Sequence, residues 1–129
     1  MYPKVRVDFG IDCAFPLDII TDLLGIAPKK SNQNAPEPFY YWHMETDQSF
    51  CRCLEEKFDE MISMLGPKVE VLQQLVKDYE IDVSFDGIVV MEDGDAPELC
   101  FSKETIALLA SLNAQFGITL STFAADFRI

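Results

Sequence analysis

His43 is the only histidine in this 129-residue chain, so any imidazole chemistry, whether proton transfer or activation of a thiol, must pass through it. It stands between Trp42 and Met44, just after Phe39, Tyr40 and Tyr41. In such an aromatic segment a neutral ring with one satisfied hydrogen bond is the commoner situation. Cys51-Arg52-Cys53 follows eight residues later and invites a thiolate and imidazole zinc set. Its spacing argues against one: at the start of a helix the two thiols would point roughly 200° apart, and no CxxC pair supplies the other ligands. Glu92, Asp93, Asp95, Glu98 and Glu104 suggest a calcium loop, but glycine is missing from the turn position, where Glu98 stands, and Pro97 offers no side-chain ligand. A charged turn accounts for them better. No phosphate-cradling glycine loop, dinucleotide fingerprint, serine elbow or HExxH zinc motif occurs. The expectation is a protein without metal or cofactor, with an enzyme the minority reading.

The elements that position these residues follow from periodicity. Val5, Val7, Phe9 and Ile11 alternate with Lys4, Arg6, Asp8 and Gly10, the pattern of a strand with one buried and one wet face. Pro16 and Asp18 suit the start of a helix whose apolar stripe Ile19, Ile20, Leu23 and Leu24 stops at Gly25. Ala27 to Pro38, with three prolines, reads as an irregular loop. The aromatic segment 39–44 reads as a second strand; one of its alternate pairs, Phe39 with Tyr41 or Tyr40 with Trp42, must enter the core, and the other faces out. From Ser49 a helical period predicts a helix with Leu54, Phe58, Met61, Ile62 and Leu65 inward and Glu55, Glu56, Asp59 and Glu60 on or toward the wet side. Gly66-Pro67 ends it and opens another, with the stripe Val69, Leu72, Leu75, Val76 and Tyr79. Ile81, Val83 and Phe85 begin a third strand with a bulge expected after Gly87, and Leu99 and Phe101 complete a hairpin with it. Ser102 caps a last helix that runs through Phe116, with Ile106, Leu109, Ala110 and Phe116 inward and Gly117 at its end, and Ile118 to Phe123 forms the final strand.

The order is β-α-β-α-α-β-β-α-β over residues 1–129, read as one α+β domain. Its expected architecture is a single mainly antiparallel or mixed sheet of about five strands with helices packed on one face. The other face would carry Lys4, Arg6, Asp8, Asp82, Ser84, Asp86, Thr119 and Ser121. The first strand, the run Pro16-Leu17-Asp18-Ile19-Ile20-Thr21, the run Leu23-Leu24-Gly25-Ile26-Ala27-Pro28, Trp42, and the closing set Ile106, Leu109, Leu112, Ala114 and Gly117-Ile118 resemble the bacterial domain of unknown function 4279 family. That resemblance implies a small uncharacterised α+β protein and brings no catalytic residues with it.

Ten basic residues against twenty-two acidic ones leave a net charge of -12, which repels phosphate backbones and anionic lipid. Nucleic acid and membranes are therefore not expected partners. The longest apolar run, Ile106 to Ala110, is far too short to span a bilayer. The alternating N-terminus lacks a signal-peptide core, so a cytoplasmic protein with free thiols at Cys13, Cys51, Cys53 and Cys100 is expected. Charge and size point to a non-catalytic protein-binding module, in its sharpest form an immunity protein masking a basic toxin. Its contacts would come from Glu55, Glu56, Asp59 and Glu60 on the helix, or from Asp82 and Asp86 beside an outward aromatic, Tyr40 or Trp42. The alternative is a small-ligand domain or enzyme built on the Trp42/His43 region. A homo-oligomer through the outer sheet face is a third possibility.

Overall fold

A computed structural model describes residues 3–31, 40–92 and 96–123. The chain runs β1 (Lys4–Cys13), α1 (Asp18–Leu24), β2 (Lys30–Ser31), β3 (Tyr40–Glu45), β4 (Ser49–Phe50), α2 (Leu54–Leu65), α3 (Lys68–Asp78), β5 (Ile81–Glu92), α4 (Lys103–Ser111) and β6 (Gln115–Phe123). The fold is α+β, with one mixed sheet in the order β2-β3-β1-β5-β6 and β4 pairing β1. The β1–β3, β1–β5 and β2–β3 pairs are antiparallel, and β5–β6 is parallel. That last pair has its direction because α4 carries the chain back between the two strands, which a tight turn could not do.

The register places alternate residues as the alternation predicts. Val5, Val7, Phe9 and Ile11 of β1 face the helices and are fully buried, together with Trp42, Phe85 and Val89. Across them Phe9 packs edge-on to Trp42 with ring centroids 5.9 Å apart, and Phe58 of α2 meets Phe85 at 5.1 Å. Ile20 and Leu24 of α1 and Leu54, Phe58, Met61 and Leu65 of α2 close the same core. Gly25, at φ 66°, ends α1 in the left-handed region that glycine enters without penalty.

Five local expectations are corrected. Gly87 marks no bulge: it pairs with Val7 in an unbroken β1–β5 register, and a Cβ there would lie 2.8 Å from Leu54, so glycine lets α2 approach the sheet. Ser49 does not begin α2; it lies in β4, and the helix starts at Leu54. Leu99 to Phe101 form no strand, and the only ladder contact there is an isolated bridge from Cys53 to Glu98. The last helix stops at Ser111 instead of Phe116, because Asn113 takes φ 48° and turns the chain into β6. Its inner side is Thr105, Leu108, Leu109 and Leu112, while Ile106 is exposed. Within Ala27 to Pro38, Lys30–Ser31 pairs with β3 as a short strand. Residues 32–39 and the centre of the acidic turn, 93–95, lie outside the described residues.

Candidate functional site

The aromatic strand decides which chemistry reaches the surface. In β3, Tyr40, Trp42 and Met44 face the helices, and Tyr41, His43 and Glu45 face the opposite side of the sheet. Trp42 is fully buried, and its indole N–H donates to Thr21 Oγ1 of α1 at 3.2 Å. This corrects the expectation that Tyr40 or Trp42 offers an outward contact: the ring of greatest apolar area fills the core, and Tyr40 packs beside it. The outward aromatic is Tyr41.

Tyr41, His43 and Glu45 form a hydrogen-bonded chain along the outer face. The Tyr41 hydroxyl donates to His43 Nδ1, and His43 Nε2 donates to Glu45 at 3.1 Å, a pairing that suits the neutral Nε2–H tautomer. His43 is only 6% exposed, so both of its ring nitrogens need the partners they have. Lys29 pairs with the other oxygen of Glu45, and this bond, helped by His43 and Arg6 and opposed by burial, holds the Glu45 carboxyl down at about 2. On the adjacent strand Arg6 donates to Asp8 at 2.9 Å, and that bond lifts the guanidinium further above its ordinary range.

Asp8, His43 and Glu45 are the described residues whose geometry could hold a metal ion, with ligand atoms all within 4.8 Å of one another. The donor set fits a cation poorly. Arg6 and Lys29 already neutralise the two carboxylates, and both imidazole nitrogens are engaged, so an ion would have to displace two salt bridges and a hydrogen bond. Proton chemistry at Tyr41 fares no better. Burial first, then the charges of Asp8, Asp12, Asp86 and Glu45, push the phenol upward and keep it protonated.

The rest of the outer face is acidic and differently arranged. Register pairs Asp8 directly with Asp86 and Asp12 directly with Asp82, with Gly10 and Ser84 between the two pairs. Like charges placed directly opposite are unfavourable in a sheet. Among the described residues Asp12, Asp82 and Asp86 have no ion pair, and burial followed by Asp82 raises the Asp12 carboxyl. Glycines make room on this face. A Cβ on Gly117 would come 2.6 Å from Asp86 Oδ1, and one on Gly10 would come 3.5 Å from the Tyr41 ring. At the far end of the sheet Asp12 and Asp82 join Cys13, Tyr79 and Glu80 around an open groove of about 750 Å³, whose lining includes neither Trp42 nor His43.

The helix acids lie on the opposite layer, so they and the Asp82/Asp86 pair cannot serve one flat contact. Glu55 accepts from the Ser102 backbone N–H at 2.6 Å, supporting the start of α4, and this bond lowers its carboxyl. Glu60 is held by Lys57, which is 5% exposed and also reaches Asp47 Oδ1 at 2.9 Å. Glu56 and Asp59 are exposed. The four cysteines are free thiols, and none joins His43 in the network of the outer face. Sequence reasoning assigned Arg6, Asp8, Asp82, Ser84 and Asp86 to the outer face and missed the Tyr41-His43-Glu45 chain. The period-2 spacing of those three was its signal.

The chain belongs to the family described as Domain of unknown function (DUF4279), whose model matches residues 4–122. No curated protein and no solved structure matches it. No helix among the described residues is long and apolar enough to cross a membrane.

Proposed function

We propose that this member of the family is a non-catalytic protein-binding module that docks a basic partner on the outer face of its sheet. The observation that carries this reading is the acidic row Asp12, Asp82 and Asp86, three outward carboxylates with no ion pair among the described residues, on a face where Asp8 and Glu45 are paired with Arg6 and Lys29. An arrangement that costs stability in the free protein is relieved when lysine or arginine side chains arrive. Tyr41 stands beside the row and supplies a flat apolar ring of the kind that anchors interfaces. The net charge of -12 speeds the encounter with a positively charged protein. In its sharpest form the module is an immunity protein that masks a basic toxin. The Trp42/His43 region suits a small ligand or a reaction less well, since Trp42 is sealed in the core and His43 has both nitrogens engaged.

The test uses the tagged protein as bait in a lysate of its source organism, with low-salt and high-salt washes, beside an Asp12→Lys/Asp82→Lys/Asp86→Lys variant and a Glu56→Lys/Asp59→Lys control. A basic protein held by the wild type and the control, released by salt and lost from the triple variant, is the expected result. Affinity for that protein should fall by on the order of tenfold or more in the triple variant, about 1.4 kcal/mol. Equal retention by all three baits sinks the proposal.

A further inference from the structure

Strand β6 closes the sheet on the side away from β3, paired with β5 along one edge. Among the described residues its other edge carries no ladder. Natural sheets guard such edges with charge, proline or a bulge. Gln115–Phe123 reads QFGITLSTF, nine residues with no charged side chain and no proline, in a chain whose net charge is -12. Alternation turns Phe116, Ile118 and Leu120 toward the helix side and Gly117, Thr119 and Ser121 outward. The helices stop short of this margin. Phe116 is held by Phe58 and Phe101, but Ile118 and Leu120 are 38% and 52% exposed. Among the described residues, backbone donors and acceptors without a ladder partner therefore run beside two partly exposed apolar side chains.

We infer that this edge pairs with itself, a second copy of the chain adding its own β6 antiparallel about a twofold axis at Thr119. The charge distribution selects that occupant. Two chains of the same strong negative charge repel over most of their surfaces, and a neutral strand is where that repulsion obstructs them least. A basic partner finds no charge here to recognise. The axis at Thr119 sets Ile118 against Leu120 of the second copy and Leu120 against its Ile118, so four exposed apolar side chains cover one another. Thr119 then faces its own equivalent on the outer side, and the two sheets become continuous. Centring the axis at Ile118 would instead direct Leu120 to Phe116, a ring that already has aromatic partners.

Sedimentation equilibrium over a wide concentration series reads this directly. The wild type should approach twice the 14.6 kDa of one chain, and added salt should strengthen the association by screening the net charge. The basic partner proposed above should respond to salt in the opposite sense, so the two readings fail separately. Leu120→Lys, at a half-exposed position, should sediment as a folded monomer with an unchanged circular dichroism spectrum. In a Cys100→Ser background, Thr119→Cys should cross-link to its equivalent on mild oxidation, whereas Ser121→Cys, which faces Gly117 of the second copy, should not. A wild type that stays monomeric at every concentration and salt overturns the inference, as does a dimer that survives Leu120→Lys. Preferential cross-linking at 121 overturns the register.

Discussion

The two ends of the outer sheet face are built from the same strands and differ in how their charges are held. At one end Arg6 bonds Asp8, Lys29 bonds Glu45, and His43 bridges Glu45 to Tyr41, so each of these groups has a partner, although Asp86 opposite Asp8 has no ion pair among the described residues. At the other, Asp12 and Asp82 face each other with no cation beside them among the described residues. The held end is internal structure that happens to be polar. The bare end spends stability in the free protein, and its acids are available to something outside it. The same contrast recurs on α2, where Glu55 and Glu60 are tied to Ser102 and Lys57 and so make poor contact residues.

Four substitutions probe that difference. His43→Ala should have the largest effect, since it strands two partners on a nearly covered surface at about 1–3 kcal/mol for each group left unsatisfied. Urea unfolding measures it, and a loss under about 0.5 kcal/mol would mean the chain is solvated and the held end is not held. Glu45→Gln should follow at about 1–2 kcal/mol near neutral pH, discounted because Lys29 is 58% exposed. The Glu45 carboxyl sits at about 2 when folded against an ordinary 4.5, so its contribution is complete above 4.5 and is lost as pH falls toward 2. Wild-type and variant stabilities should therefore converge across that acid window, and parallel curves there would contradict the assignment.

Tyr41→Phe removes one hydroxyl bond to His43 and should cost about 0.5–1.5 kcal/mol, read by thermal unfolding. Asp12→Asn reverses the sign. The Asp12 carboxyl is raised above its ordinary 3.8, so the folded state holds that proton more tightly, and stability falls as pH rises through the region above 3.8. Removing the charge should stabilise the protein at neutral pH by about 0.2–1 kcal/mol, a gain that disappears below the ordinary value. A loss of stability at neutral pH would show that Asp12 has a cation the bare end was said to lack.

Much of this was legible along the chain, and the parts that were not share a cause. Period-2 alternation assigned Lys4, Arg6 and Asp8 of β1 and Asp82, Ser84 and Asp86 of β5 to the outer face, and the register bears this out. Alternation also required one aromatic pair of the 39–42 segment to be buried, but either choice satisfied it. The hairpin expected at Leu99 and Phe101 failed because two alternations are too few to distinguish a strand from an extended connection. Phe116 was read into the preceding helix because its spacing from Leu109 is helical, and Asn113 carries no signal as strong as glycine's. Nothing in the local sequence singles out Lys57, since one of its ion pairs depends on Asp47, ten residues away, lying over it.

Local spacing thus determined the α+β class, the two faces of β1 and β5, the helix stops at Gly25 and Gly66, and the excess of negative charge, because each depends on residues a few positions apart or on composition alone. Tertiary structure alone decided that β3 lies beside β1 with Trp42 inward, that the Tyr41, His43 and Glu45 row thereby faces outward near Asp8, and that the carboxylates of β1 and β5 fall opposite one another. Those relations are fixed by register between strands distant in sequence. A slip of one residue would turn every side chain of a strand to the other face, and burying the apolar row Val5, Val7, Phe9 and Ile11 is what forbids that slip.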